Sequence, residues 1–187
     1  MKALKLQILL FLFPSIVLGQ FSERFIELHK GLEKFDCETI STTYRNGNPK
    51  YCGTTTYYRN NNEEYAFLTG KHTRYYKDGS KNESTYDIYG NAILHEFYDK
   101  NGVLTIVHET ILLDSDAENL ASLINGEAKK TFEIELKEYK ISRKTGERYL
   151  FKKGRYQNGK KIGIWTYYNP DGGIKKEIIK NVVQHGV

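Results

Sequence analysis

The sequence predicts a mainly β protein: an elongated antiparallel sheet of hairpin repeats with one or two short helices. Three observations carry that expectation. The 187 residues include 15 Tyr, 9 Phe and 16 Gly but only 3 Pro. Aromatic and Thr-rich runs are punctuated by Asn-Gly and Asp-Gly pairs, the composition of strands and tight turns. One short pattern, two aromatics followed by polar residues and a Gly, also recurs along the chain.

The first segment stands apart from that sheet. "MKALK" supplies two positive charges, "LQILLFLFPSIVL" an apolar core, and Val17-Leu18-Gly19 a small-residue end. Together they form the three regions of a secretory signal peptide, expected over residues 1–19. The apolar run falls short of the roughly 20 residues that span a bilayer and contains Pro14. No transmembrane anchor is therefore expected in the mature chain, and the localisation implied is periplasmic or extracellular. Without Lys2 and Lys5 the formal charge falls from +5 to +3, too small to suggest nucleic acid as a partner.

Residues 20–36 are expected to be helical. "SERFIELHKGLEKF" spaces Phe25, Ile26, Leu28, Leu32 and Phe35 near a 3.6-residue period, with Ser22 as N-cap. A single β domain then follows over 37–187. It carries a helical insertion near 114–125, where acidic residues precede Leu120, Leu123 and Ile124 and Asn125-Gly126 ends the run. Within the domain, "YYRNNNEEY" (57–65), "YYKDGSKNE" (75–83), "FYDKNGVLTIV" (97–107) and "YYNPDGGIKKE" (167–177) align. Each places aromatics at a strand end and a left-handed Gly, or Asn62 in its stead, in the turn. In "GRYQNGKKIGIWTYY" the alternation of a strand points Gly163, Trp165 and Tyr167 to one side, so that Gly163 leaves room for the indole.

That last stretch resembles the MORN-repeat variant common in Bacteroidetes, whose pattern is similar to G-x-Y-x-N-G-K-K-x-G-x-W-x-Y-Y-x-x-x-G. Gly154, Tyr156, Asn158, Gly159, Lys160, Gly163, Trp165, Tyr167, Tyr168 and Gly172 fall on it. The resemblance is good over 154–177, partial over 69–106 and poor between 107 and 150. Only the last copy has Trp; His72, and Leu94 or His95, take its place earlier. The resemblance implies a MORN-like β-repeat fold and, through YwqK-type antitoxin-like relatives, a protein partner.

Catalytic signatures are not found: the sequence has no P-loop, no G-x-S-x-G and no H-E-x-x-H. No cofactor and no metal are expected. A four-residue loop over Asp99–Gly102 would set His95 opposite Ile106 and diagonal to His108, two ordinary sheet histidines. Glu133, Glu135 and Glu138 alternate with Lys137, Lys140 and Arg143 as on a solvated sheet face. The candidate binding residues are Tyr149, Phe151, Tyr156, Lys160, Lys161, Trp165 and Tyr167. Rings beside cations suit a glycan, a lipid head group or a protein, and the same rings equally suit packing between neighbouring hairpins while the lysines stay wet. Cys37 and Cys52, an even pair in an exported chain, are the candidate disulfide. A two-residue turn at Asn46-Gly47, however, would set Cys37 opposite Thr56.

The sequence thus points to an exported non-enzymatic binding or scaffold module at the cell envelope. An antitoxin-like protein neutralising a partner and a cryptic envelope hydrolase are the alternatives. Intact-mass measurement of protein recovered from its producing cell is expected to show a chain starting at or next to Gln20. A soluble product that retains Met1–Gly19 would rule out processing.

Overall fold

The computed structural model describes residues 21–180. The signal-peptide expectation over 1–19 lies outside them. Ten strands form one antiparallel sheet in chain order: β1 (Glu33–Thr43), β2 (Pro49–Asn60), β3 (Glu63–Tyr75), β4 (Lys81–Tyr86), β5 (Ala92–Tyr98), β6 (Leu104–Ser115), β7 (Lys130–Ile141), β8 (Arg148–Gln157), β9 (Lys160–Tyr168) and β10 (Ile174–Lys180). Helices α1 (Glu23–Leu28) and α2 (Leu120–Ile124) complete it. The chain is mainly β with two short helices.

Local turn chemistry produces this order. In five connections the first loop-flanking N–H reaches the carbonyl four residues on, and a Gly N–H returns to the first residue's carbonyl. These pairs are Tyr44/Asn48, Tyr76/Ser80, Asp87/Asn91, Asp99/Val103 and Asn169/Gly173. Such three-residue loops combine a type I turn with one left-handed residue. Gly47, Gly79, Gly90, Gly102 and Gly172 supply it, with φ between 75° and 89°. The double aromatics Tyr75-Tyr76, Phe97-Tyr98 and Tyr167-Tyr168 each lie where a strand enters such a loop. Asn158-Gly159 is a two-residue turn with both φ positive, 47° and 78°. Between β2 and β3 the left-handed residue is Asn61 (φ 55°) rather than Asn62, because Asn60 pairs with Glu63 and the loop holds only two residues.

Loop length corrects one register and, with a compensating bulge, leaves another as expected. The Asp99 loop has three residues, and a bulge follows between Phe97 and Tyr98, so His95 stands directly opposite His108 rather than Ile106. The Tyr44 loop also has three residues, but a bulge between Thr42 and Thr43 offsets it and Cys37 still pairs with Thr56. Cys52 pairs with Ser41, and both thiols are free and exposed. The disulfide expectation fails on this register. Four strand positions separate the thiols along β1, about 13 Å at the strand rise, beyond the reach of a disulfide.

The ring of Trp165 does not rest beside Gly163 as strand alternation suggests. Between the pairs Lys153–Thr166 and Arg155–Ile162, β9 inserts Gly163, Ile164 and Trp165 opposite the single residue Gly154. Gly163 has φ 62° and forms the bulge that turns the indole over. The indole lies on Gly154: a Cβ there would sit 2.3 Å from Trp165 Cδ2. β3 repeats the geometry, with Gly70, Lys71 and His72 opposite Gly53 between Thr54–Thr69 and Cys52–Thr73. Gly70 has φ 69°, and a Cβ on Gly53 would sit 2.2 Å from His72 Nδ1. Two large rings are thus buried against a one-layer sheet by removing the side chain beneath them.

The helices make the remaining core. Phe25, Leu113, Ala117, Leu120 and Leu123 form one buried cluster, joined at its rim by Phe21, Leu28, Leu32 and Tyr65. Ser22 caps α1 by accepting from Phe25 N, but α1 stops at Leu28. Gly31 (φ 87°) turns the chain and Glu33 already enters β1, so the expected helix over 20–36 is half strand and turn. Similarly, β6 continues to Ser115, and α2 begins only at Leu120 with Asn119 as its cap. The acidic residues expected at the helix start work elsewhere. Asp114 Oδ1 accepts from Ser22 Oγ at 2.5 Å, and Asp116 Oδ1 from Lys129 N at 2.7 Å.

Gly154→Ala is expected to destabilise the fold by about 1–3 kcal/mol through overpacking, and Trp165→Ala by about 3–5 kcal/mol. Because both act on one contact, the double variant should cost clearly less than their sum. Urea denaturation of the four proteins measures this, and additive losses would contradict the ring-on-glycine contact.

Candidate functional site

Five of the seven sequence-derived binding residues fall into two packed clusters. Trp165 is 1% exposed. Tyr156 meets it edge-on at 5.0 Å, and Lys161 and Lys152 cover it at 4.5 and 5.9 Å from the ring. Its Nε1 is buried without a hydrogen-bond partner. Phe151 and Tyr167 pack edge to face at 5.9 Å, with Lys140 over the first ring at 3.5 Å and Lys176 over the second at 4.6 Å. Tyr149 pairs with Lys140 across β7 and β8, and Lys160 with Gln157 across the turn. These rings already hold cations of the same chain on their faces. Trp165 is closed to solvent and belongs to the fold.

The register builds a different surface. His72, Ser84, His95, His108, Leu136 and Gly154 stand opposite one another across β3 to β8. His72 Nε2 donates to the carbonyls of Thr54 and Thr69 at 3.0 and 3.1 Å, which leaves Nδ1 to accept from the Tyr51 hydroxyl at 2.5 Å. Ser84 Oγ and His95 Nδ1 share a hydrogen bond of 2.7 Å. Among the described residues no group of three or more His, Cys, Asp or Glu is placed to hold a metal ion.

Beside this row runs a second: Tyr51, Arg74, Asn82 and Phe97 pair in turn across β2 to β5. Between the two rows lies a cavity of about 370 Å³, floored by His72, Ser84 and His95. Tyr76 closes one end and also lines a second cavity of about 490 Å³ with Tyr44, Arg45 and Asn48. Two features of the groove stand out. Arg74 makes no ion pair among the described residues, and Asn82 Oδ1 is buried without a donor. Neither was singled out from sequence. Arg74 sits inside an aromatic strand-end pattern, and Asn82 begins a strand whose partners follow only from the register.

The opposite face is a charge ladder. Glu83, 8% exposed, is held by Lys71 at 2.5 Å and Lys81 at 2.6 Å. Glu135 is held by Lys153 at 2.9 Å and Lys137 at 3.0 Å. Burial works to raise both carboxyls, but the lysine hydrogen bonds outweigh it and keep them below the ordinary carboxylate value. Glu138, expected on that solvated face, lies instead on the ring side and pairs with Lys152.

Comparison with protein-family models, with curated proteins and with solved structures finds no match. No helix among the described residues is long and apolar enough to cross a membrane.

Burial lowers the pKa of His95, and burial followed by the neighbouring His95 lowers that of His108, each from an ordinary 6.5. Above that value both states of the chain are neutral here. As the pH falls through 6.5 the unfolded chain takes up protons that the folded one resists, so stability declines. The urea midpoint should therefore drop from about pH 7.5 to about pH 5.5. The double variant His95→Gln/His108→Gln should show a shallower drop, with the remainder coming from His29, whose pKa is also lowered by burial. An unchanged pH slope would show that the pair does not titrate differently on folding.

Proposed function

We propose that the chain is an exported, non-catalytic binding module of the cell envelope, built of MORN-like hairpins. The groove across β2–β5 takes a hydroxylated, anionic glycan. The observation that carries this reading is the row Tyr51–Arg74–Asn82–Phe97 on an open cavity. A guanidinium without an ion pair fits a carboxylate of the ligand through paired N–H donors. The Asn82 side-chain amide lines the same cavity and fits a hydroxyl as hydrogen-bond partner. The rings of Phe97 and Tyr76 offer apolar walls to a sugar's C–H face.

The hairpin reading is supported by two like constructions, Gly53–Gly70–His72 and Gly154–Gly163–Trp165, at the places the sequence pattern relates. The non-catalytic reading is supported by the imidazoles of the groove. His72 spends both nitrogens on the protein, and His95 spends one on Ser84.

Titration calorimetry of residues 20–187 against acidic oligosaccharides prepared from the envelope tests the proposal. Saturable binding is expected without consumption of the saccharide. Arg74→Ala should lower affinity about tenfold or more, the worth of a charged hydrogen bond, at an unchanged urea midpoint. Equal affinity in parent and variant would move the ligand away from this groove.

A further inference from the structure

A ten-stranded open sheet has two outer edges, and here they differ in charge. No described strand pairs with the outer side of β1 or of β10. Neither edge is buried: ten of the eleven residues of β1 and six of the seven of β10 are exposed. Exposed apolar side chains stand on both, Phe35 at 46% on β1 and Ile174 and Ile179 at 61% and 74% on β10. Such an edge presents unmet backbone N–H and C=O groups and is a template for another strand. β1 carries three acidic residues, Glu33, Asp36 and Glu38, against one basic, Lys34. β10 carries three basic residues, Lys175, Lys176 and Lys180, against one acidic, Glu177.

We propose that the chain associates head to tail with a second copy of itself, β10 of one molecule adding to β1 of the next. Two properties select this arrangement. The strand count is even and every neighbour is antiparallel, so β1 and β10 run in opposite directions. A copy translated across the sheet then offers β1 antiparallel to β10 and continues the same meander. The charges meanwhile reject the alternatives. A β1–β1 contact sets acid against acid and a β10–β10 contact base against base, whereas β10–β1 joins opposite signs. The contact is heterologous, so it yields a series of sizes rather than a closed dimer. This inference is independent of the glycan reading.

Light scattering coupled to size exclusion, on residues 20–187 over a range of concentrations, tests it. Mass should rise with concentration and fall back as salt is added. Lys175→Glu/Lys176→Glu makes both edges acidic and Asp36→Lys/Glu38→Lys makes both basic. Each variant alone should associate about tenfold or more weakly. An equimolar mixture of the two should associate again, because each edge then finds its opposite on the other variant. That rescue separates edge pairing from misfolding, which mixing does not repair. A protein that stays monomeric at every concentration overturns the proposal. So does association that the charge reversals leave unchanged, or variants that mixing does not restore.

Discussion

The fold depends on two side chains that are absent. A one-layer sheet has no second layer against which to bury a large ring, and Trp165 and His72 are nevertheless closed to solvent. They achieve this by lying on the backbones of Gly154 and Gly53, where a Cβ would come within 2.3 Å of the ring. The bulges at Gly163 and Gly70 bring the rings across onto those glycines. Each unit therefore requires two glycines for different reasons, one for its left-handed backbone and one for its missing side chain. Close packing is obtained within the sheet itself.

That solution divides the two faces of the sheet chemically. On one side lie the rings and the histidine row, while Phe25 of α1 and Leu123 of α2 join Leu113 of β6 in the apolar cluster. On the other, glutamates are held between lysine pairs, as Glu83 is by Lys71 and Lys81. The pairs are partly solvated, so their worth to stability is modest. Their larger effect is to keep this face polar and soluble. The groove beside Arg74 and Asn82 is lined by strand and turn residues alone, with none from either helix.

Rings and cations thus meet differently at the two ends of the sheet. Toward the C-terminal end, Lys140, Lys152, Lys161 and Lys176 lie over the rings of Phe151, Trp165 and Tyr167 and close them. Around β2–β5 the comparable cation, Arg74, lies against a cavity with no ion-pair partner among the described residues. A density of rings and lysines in a sequence does not distinguish these cases. What separates them is whether a cation of the same chain comes to lie over the ring.

By itself the sequence determined whatever is decided within a few residues. Antiparallel β class, the turns at Gly79, Gly102, Asn158-Gly159 and Gly172, the Ser22 cap and the aromatic strand ends are all set by local backbone preference. Alternation within β9 placed Trp165 as a packing ring but assigned the room beneath it to Gly163, because nothing in one strand's sequence announces a bulge. Only the tertiary structure put Gly154 there and set His95 opposite His108, whereas the register that parts Cys37 from Cys52 already followed from the Asn46-Gly47 turn. The reason is cumulative register. One residue in a loop or bulge shifts every pair beyond it. A groove made from Tyr51, Arg74, Asn82 and Phe97 draws one residue from each of four strands, so it exists only once three registers are fixed.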